Sequence, residues 1–154
     1  DLAMMYAQTV LLEHGTVGLI KGLVRRPRPL AYNPDPRIPA ALRRSRHAVR
    51  SFPSGHTASA FAAAMFAGEV YARLHPDDPS RHWVRAGGLT VAAATAWLRV
   101  RAGRHFPTDV LAGAVIGSLI GWAVPRLHEV DADDGSPAGG RAAAGPGLVV
   151  GFGF

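Results

Sequence analysis

Prolines set between long apolar runs constrain this chain more than any other feature. Pro27 and Pro29 close the run from Leu2 to Val24, Pro53 precedes TASAFAAAMFAGEVYARL, Pro76 follows Leu74, and Pro107 opens DVLAGAVIGSLIGWAV. Proline lacks an amide hydrogen and its ring clashes with the preceding turn, so it suits a first helical position and ends a helix elsewhere. Together with helical periodicity between these breaks, the pattern predicts four helices. They run over about Leu2–Val24, from Pro53 to about Leu74, over about Trp83–Arg101, and from Pro107 to the Pro125 region, with Pro53 and Pro107 expected at first helical positions. Short connections favour antiparallel neighbours, so the expected fold class is all-α, an up-and-down helical bundle.

The 154 residues fit one domain with a real core. Residues 1–128 form the expected helical domain, and residues 129–154 an acidic, Gly-rich tail expected to be flexible. The terminal GLVVGFGF has β-like apolar character and is expected at most as a docking strand. No cysteine is present, which excludes disulfides, thiolate metal sites and cysteine nucleophiles. Residues 30–52 form a long loop inside an arginine-rich stretch from Arg25 to Arg50 that holds one acid, Asp35. Such a stretch reads as a nucleic-acid patch, a lipid-headgroup surface or an anionic-substrate site. No nucleic-acid-binding motif accompanies it, so no nucleic-acid partner is expected. Lys21 is the single lysine among 17 basic residues, at a position where either chance or the need for a compact ammonium explains it.

In an up-and-down bundle the first helix ends near Lys21 and Arg28, the second starts at Ser54-Gly55-His56, the third ends near Arg99, and the fourth starts just after His105. All of these points fall at one end. That end gathers three cations, two helix N-termini, two histidines and Asp109, an arrangement suited to a tetrahedral oxyanion such as phosphate. Gly55 lets the backbone approach a ligand closely. Phosphoryl transfer needs in-line attack and stabilisation of the equatorial oxygens. With no cysteine and no acid cluster to hold a metal, His105 is the candidate nucleophile. Asp109, one turn on, is the expected hydrogen-bond partner of its ring, and His56 the expected proton donor to the departing alcohol.

Three segments then match a known pattern. KGLVRRPRP (Lys21–Pro29), FPSGH (Phe52–His56) and RVRAGRHFPTD (Arg99–Asp109) together resemble the three signatures of the type 2 phosphatidic acid phosphatase superfamily, which shares its site with vanadium haloperoxidases. The resemblance covers roughly residues 16–125, in order and in spacing. It implies a metal-independent phosphatase, without cofactor, working through a phosphohistidine. In that reading His105 is the nucleophile, Asp109 its orienting partner and His56 the acid. Lys21, Arg28, Arg99, Ser54 and Gly55 bind the phosphoryl oxygens. The third signature usually begins Ser-Arg, whereas Leu98 precedes Arg99 here. The family core also often carries more helices than the four readable here, which points to missing leading helices.

The family contains membrane and soluble members. The longest uncharged run, Val110–Pro125, has 16 residues, short for a span, yet Gly113, Gly117 and Gly121 form the small-residue ladder of closely packed membrane helices. The expectation is a membrane protein of a bacterial envelope with its site facing the periplasm, acting on a phosphorylated lipid; a soluble periplasmic protein is the alternative. Trp83, Trp97 and Trp122 are expected in the core of a soluble bundle or at the interface of a membrane one. His14, His47, His75, His82 and His128 lack motif partners and read as loop or surface residues. Two other functions stay open, a vanadate-dependent haloperoxidase and an inactive module that binds anionic headgroups.

Overall fold

Prediction of four long helices meets a computed structural model that describes residues 2–35, 39–43, 45 and 48–128. Helix α1 spans Leu2–Val24, a 3₁₀ turn Pro29–Tyr32, the one-turn α2 Ala40–Arg43, α3 Gly55–Leu74, α4 Ser80–Arg101 and α5 Pro107–Leu127. No strand occurs among the described residues. The acidic tail and GLVVGFGF, expected as a flexible segment and a docking strand, lie outside the described residues, as does His47.

Two expectations at the helix ends need correction. Pro107 is at the first position of α5, but Pro53 stands outside α3, joined to Phe52 by a cis peptide bond and followed by the N-cap Ser54. The third long helix starts at Ser80, three residues before Trp83, because Asp78 accepts a hydrogen bond from the Ser80 amide (2.8 Å) and satisfies a first-turn donor. Helix α5 continues past Pro125 to Leu127.

Helix α3 is the centre of the bundle, packed against α1, α4 and α5. Its sequence, GHTASAFAAAMFAGEVYARL, explains why: alanine favours the helix and keeps it thin, so three neighbours can approach. Against it, α5 presents Gly113, Gly117 and Gly121 at four-residue spacing. A Cβ on Gly113 would lie 2.5 Å from the Ser54 carbonyl oxygen, and Cβ atoms on Gly117 and Gly121 would overlap the carbonyls of Ala58 and Ala62. The glycine ladder is therefore the α3–α5 contact itself. Near the far end of the bundle Met5, Phe66, Val70 and Val124 form the apolar core. There the buried Glu69 also joins α3, α4 and α5 by accepting from Arg85 (3.0 Å) and Arg126 (2.8 Å).

The outer faces of α1 and α5 are apolar, while part of the interior is polar. The buried stripe of α1 is Met5, Thr9, Glu13 and Val17, half of it polar. Its outer face carries Leu11, Leu12, Leu19 and Leu23, and that of α5 carries Leu111, Val115, Leu119 and Trp122, all exposed. Trp83 and Trp97 are 79% and 59% exposed, so the tryptophans are not core residues. Among the described residues α5 alone is long and apolar enough to cross a membrane by length and composition.

Substitution in the ladder tests the packing. Gly117→Ala forces the Ala58 carbonyl to move and is expected to cost ~1–3 kcal/mol, the range for overpacking. Gly87→Ala, in α4 with open space around its Cβ, is expected to be neutral or stabilising by up to ~1 kcal/mol. Thermal unfolding of the two variants side by side gives the comparison, and equal stability would contradict the close α3–α5 contact.

Candidate active site

The chain leaves α1 through Arg25, held in the left-handed region (φ 47°) with its amide donating to the Lys21 carbonyl. This position past a helix end usually takes glycine. The bend sends residues 26–28 back alongside residues 48–51: the Arg28 amide donates to the Ala48 carbonyl (2.7 Å) and the Ser51 amide to the Arg26 carbonyl (2.9 Å). These two bonds bring Arg26, Arg28 and Ser51 to the start of α5.

There Asp109 is fully buried and its carboxylate is crowded with donors. Ser51 Oγ donates to Oδ2 (2.5 Å), the Phe106 amide donates to Oδ2 (2.9 Å), and Arg26 Nη1 donates to Oδ1 (2.8 Å). Arg26 also donates to Thr108 Oγ1 (2.7 Å), and its guanidinium lies 4.3 Å over the Phe106 ring. The Asp109 carbonyl accepts from the Ser54 amide (2.9 Å), tying the start of α5 to the start of α3.

His105 is buried beside this carboxylate, but the direct hydrogen bond predicted from the spacing is not made. Its Nδ1 lies 3.6 Å from Asp109 Oδ2 and 3.5 Å from Ser51 Oγ. The three atoms form a triangle, so Nδ1–H faces both Ser51 Oγ, which itself donates to Asp109, and Oδ2. With Nδ1 turned to Ser51 and Asp109, Nε2 is the ring nitrogen left for other work. Burial first, and then the charge of Arg28, push the His105 pKa down to about 4, against the opposing pull of Asp109. A ring with that pKa is neutral at physiological pH, and a proton on Nδ1, facing Ser51 and Asp109, leaves the lone pair on Nε2.

The predicted cations meet the same point. Burial first, and then the charges of Arg99 and Arg104, depress the Arg28 guanidinium against the opposing pull of Asp109. Arg28 Nε and Arg99 Nε are buried and have no hydrogen-bond partner among the described residues. An unpaired buried donor is costly, about 1–3 kcal/mol, and more when charged. Lys21 and Gly55 are in contact range: a Cβ at Gly55 would lie 3.0 Å from Lys21 Nζ. Ser54, named from sequence as a phosphate ligand, is buried with its Oγ accepting from Thr57 Oγ1 (2.9 Å), so no side chain caps α3. Lys21, Arg28, Gly55 and His56 line an open pocket of about 570 Å³, together with Arg50, Ser59, Glu13 and His14.

Three of these residues were not singled out as site residues from sequence. Arg26 was one of many arginines, Ser51 precedes FPSGH by one residue, and Glu13 is a lone acid in an apolar run, legible only in that it shares a helix face with Lys21 eight residues on. Among the described residues no three His, Cys, Asp or Glu side chains group as a metal site.

Fold and geometry define a helical bundle with a neutral histidine and unpaired guanidinium donors gathered at one end. The chain belongs to the PAP2 superfamily, whose family model matches residues 2–132. It is 41% identical over 80 residues to a lipid A 1-phosphatase of Porphyromonas gingivalis, covering 52% of this chain and 17% of that protein. It is 35% identical over 119 residues to a probable lipid phosphate phosphatase beta of Arabidopsis thaliana, covering 66% of this chain and 54% of the relative. It is 34% identical over 118 residues to a decaprenylphosphoryl-5-phosphoribose phosphatase of Mycobacterium tuberculosis, covering 74% and 54%. The chain thus spans about half the length of the plant and mycobacterial relatives and less of the first. No solved structure matches it significantly.

The neutral state of His105 is open to direct titration. Its ring resonances in NMR should titrate near pH 4, and Asp109→Asn should move the midpoint lower still, since the carboxylate favours the charged ring. A midpoint near the ordinary ~6.5 would contradict this environment.

Proposed function

We propose that the protein is a metal-independent phosphatase that hydrolyses a lipid-linked phosphate through a phosphohistidine on His105. The observation that carries this reading is the pair of buried, unpartnered Nε–H groups of Arg28 and Arg99 beside a neutral imidazole. A phosphate monoester supplies acceptors to both guanidinium groups and an electrophile to the ring.

The His105 Nε2 lone pair attacks phosphorus in line as the bond to the ester oxygen breaks. Arg28, Arg99, Lys21 and the first amides of α3, at Gly55 and His56, bear the charge on the equatorial oxygens. Burial and the charges of Arg99, Lys21 and Arg28 lower the His56 pKa; a bound phosphate dianion offsets those charges, so that protonated His56 gives its proton to the departing oxygen and an alcohol leaves. His105 becomes cationic as it is phosphorylated, and Asp109, with Ser51 beside it, stabilises that charge and holds the ring. Neutral His56 then takes a proton from the water that attacks phosphorus; the P–N bond breaks and phosphate departs.

Membrane association fits the exposed apolar faces of α1 and α5. Leucines, valines and tryptophans on the outer faces cost little in a bilayer and are unfavourable in water. Helix α5, 21 residues, spans about 31 Å at ~1.5 Å per residue, matching a hydrocarbon core of ~30 Å. Trp97 near the site end and Trp83 and Trp122 near the other suit the two interfaces. We propose that the site end faces the periplasm of a bacterial envelope, its arginines serving substrate rather than orientation. The relatives named for lipid A, lipid phosphate and a decaprenyl-linked phosphoribose support a lipid substrate.

Rapid quench with a phosphate ester in excess chelator should trap acid-labile phosphate on His105, and His105→Ala should lose both label and turnover. His56→Ala should still be labelled by a nitrophenyl ester, whose leaving group needs no proton, but not by an alkyl ester. Asp109→Asn should fall between, losing ~10²–10⁴-fold. Label on His56, or an active His105→Ala protein, would overturn these roles.

A further inference from the structure

Besides Arg28 Nε and Arg99 Nε, one other buried side-chain atom lacks a partner among the described residues: Glu13 Oε1. Glu13 is 1% exposed and lies on the pocket wall two turns before Lys21 on the same face of α1. Its other oxygen, Oε2, accepts from Ser59 Oγ (3.0 Å) and lies 2.7 Å from His14 Nδ1. Ser59 Oγ is also 3.1 Å from the Gly55 carbonyl, so this group sits one turn of α3, ~6 Å, beyond the amides at the start of that helix.

A buried carboxylate oxygen without a donor is unfavourable, more so than a neutral acceptor. Nor can it take part in binding phosphate, which it repels. The deficit is met if the substrate brings a hydrogen-bond donor to that spot. On this ground, and resting on the phosphatase reading above, we infer that Glu13 recognises a hydroxyl of the leaving alcohol, two or three carbons from the ester oxygen, so that the substrate is a phosphorylated sugar or polyol headgroup rather than a simple alkyl phosphate. An ammonium group has the same donor chemistry. It is disfavoured because Lys21, Arg28 and Arg50 line the same pocket and Glu13 is its single carboxylate.

The groove beyond Glu13 agrees with this order. A smaller cavity of about 180 Å³ shares Glu13, His14 and Ser59 with the first and continues between α1 and α3 past Val10, Tyr6, Ala62 and Ala63. From the site end inward the walls thus change from cationic to hydrogen-bonding to largely apolar, the sequence of phosphate, hydroxylated unit and hydrocarbon.

The test is a ratio measured on one protein sample, so that any loss of folded protein cancels. The ratio of kcat/KM for ribose 5-phosphate over pentyl phosphate, equal in carbon number, should exceed one in the wild-type protein. In Glu13→Met it should fall ~10–100-fold, the range for a hydrogen bond to a charged group, and in Glu13→Gln by less, since an amide oxygen still accepts. A ratio unchanged by Glu13→Met would overturn the assignment, as would a wild-type preference for phosphoethanolamine over ribose 5-phosphate. The same ratio taken from dissociation constants in the His105→Ala protein separates the two proposals: ribose preference lost with Glu13 while no ester is turned over by wild-type protein supports the hydroxyl site and counts against the phosphatase reading alone.

Discussion

The buried Asp109 carboxylate, with Ser51, Arg26 and the Phe106 amide all donating to it, fixes the geometry of everything at the site end. A buried charge is tolerable only with such saturation of its acceptor sites. The consequence is positional: the Phe106 bond begins α5, the Ser51 bond anchors the segment entering α3, and the Arg26 bond draws back the chain leaving α1. The Asp109 main chain adds the bond from Ser54. One residue thereby sets where His105, His56 and Arg28 stand relative to each other. Oδ2, the oxygen nearest His105, already accepts from Ser51 and the Phe106 amide, and His105 Nδ1 stays 3.6 Å from it.

The second constraint is the thinness of the α3–α5 contact. Glycines at 113, 117 and 121 let α5 rest on the backbone of α3, which brings the N-termini of both helices to one point. With bulkier residues the two helices would stand further apart and the bond from the Ser54 amide to Asp109 would be lost. Because small residues make that contact, the bulkier Leu111, Val115, Leu119 and Trp122 of α5 stand on its exposed face. Close helix packing, the shape of the site and the apolar exterior are one arrangement.

Much of this was legible in the sequence because helix ends are local. Breakers such as Pro27, Pro29 and Pro107 marked them to within three residues, and the alternation of direction then brought Lys21, Arg28, His56, Arg99 and His105 to one end without any tertiary information. What was not legible depends on pairing across the loop. Arg26 and Ser51 meet Asp109 only because residues 26–28 lie beside residues 48–51, a register set by two backbone bonds that no periodicity encodes. Glu13 was hidden for a different reason: an acid in an apolar helix has no meaning until the facing helix, here Ser59 on α3, is known. Pro53 was misplaced by one rule too simply applied, for proline at a helix start can also stand before the cap.

Orthovanadate adopts the trigonal-bipyramidal shape of a phosphoryl group in transfer, and a crystal structure of the protein with it bound addresses the central assignment without depending on substrate. The result expected is vanadium bonded to His105 Nε2, with Arg28 Nε and Arg99 Nε donating to its equatorial oxygens and Ser51 still donating to Asp109 beside His105 Nδ1. Vanadate held by His56, or bound away from the two guanidinium groups with His105 uninvolved, would contradict it.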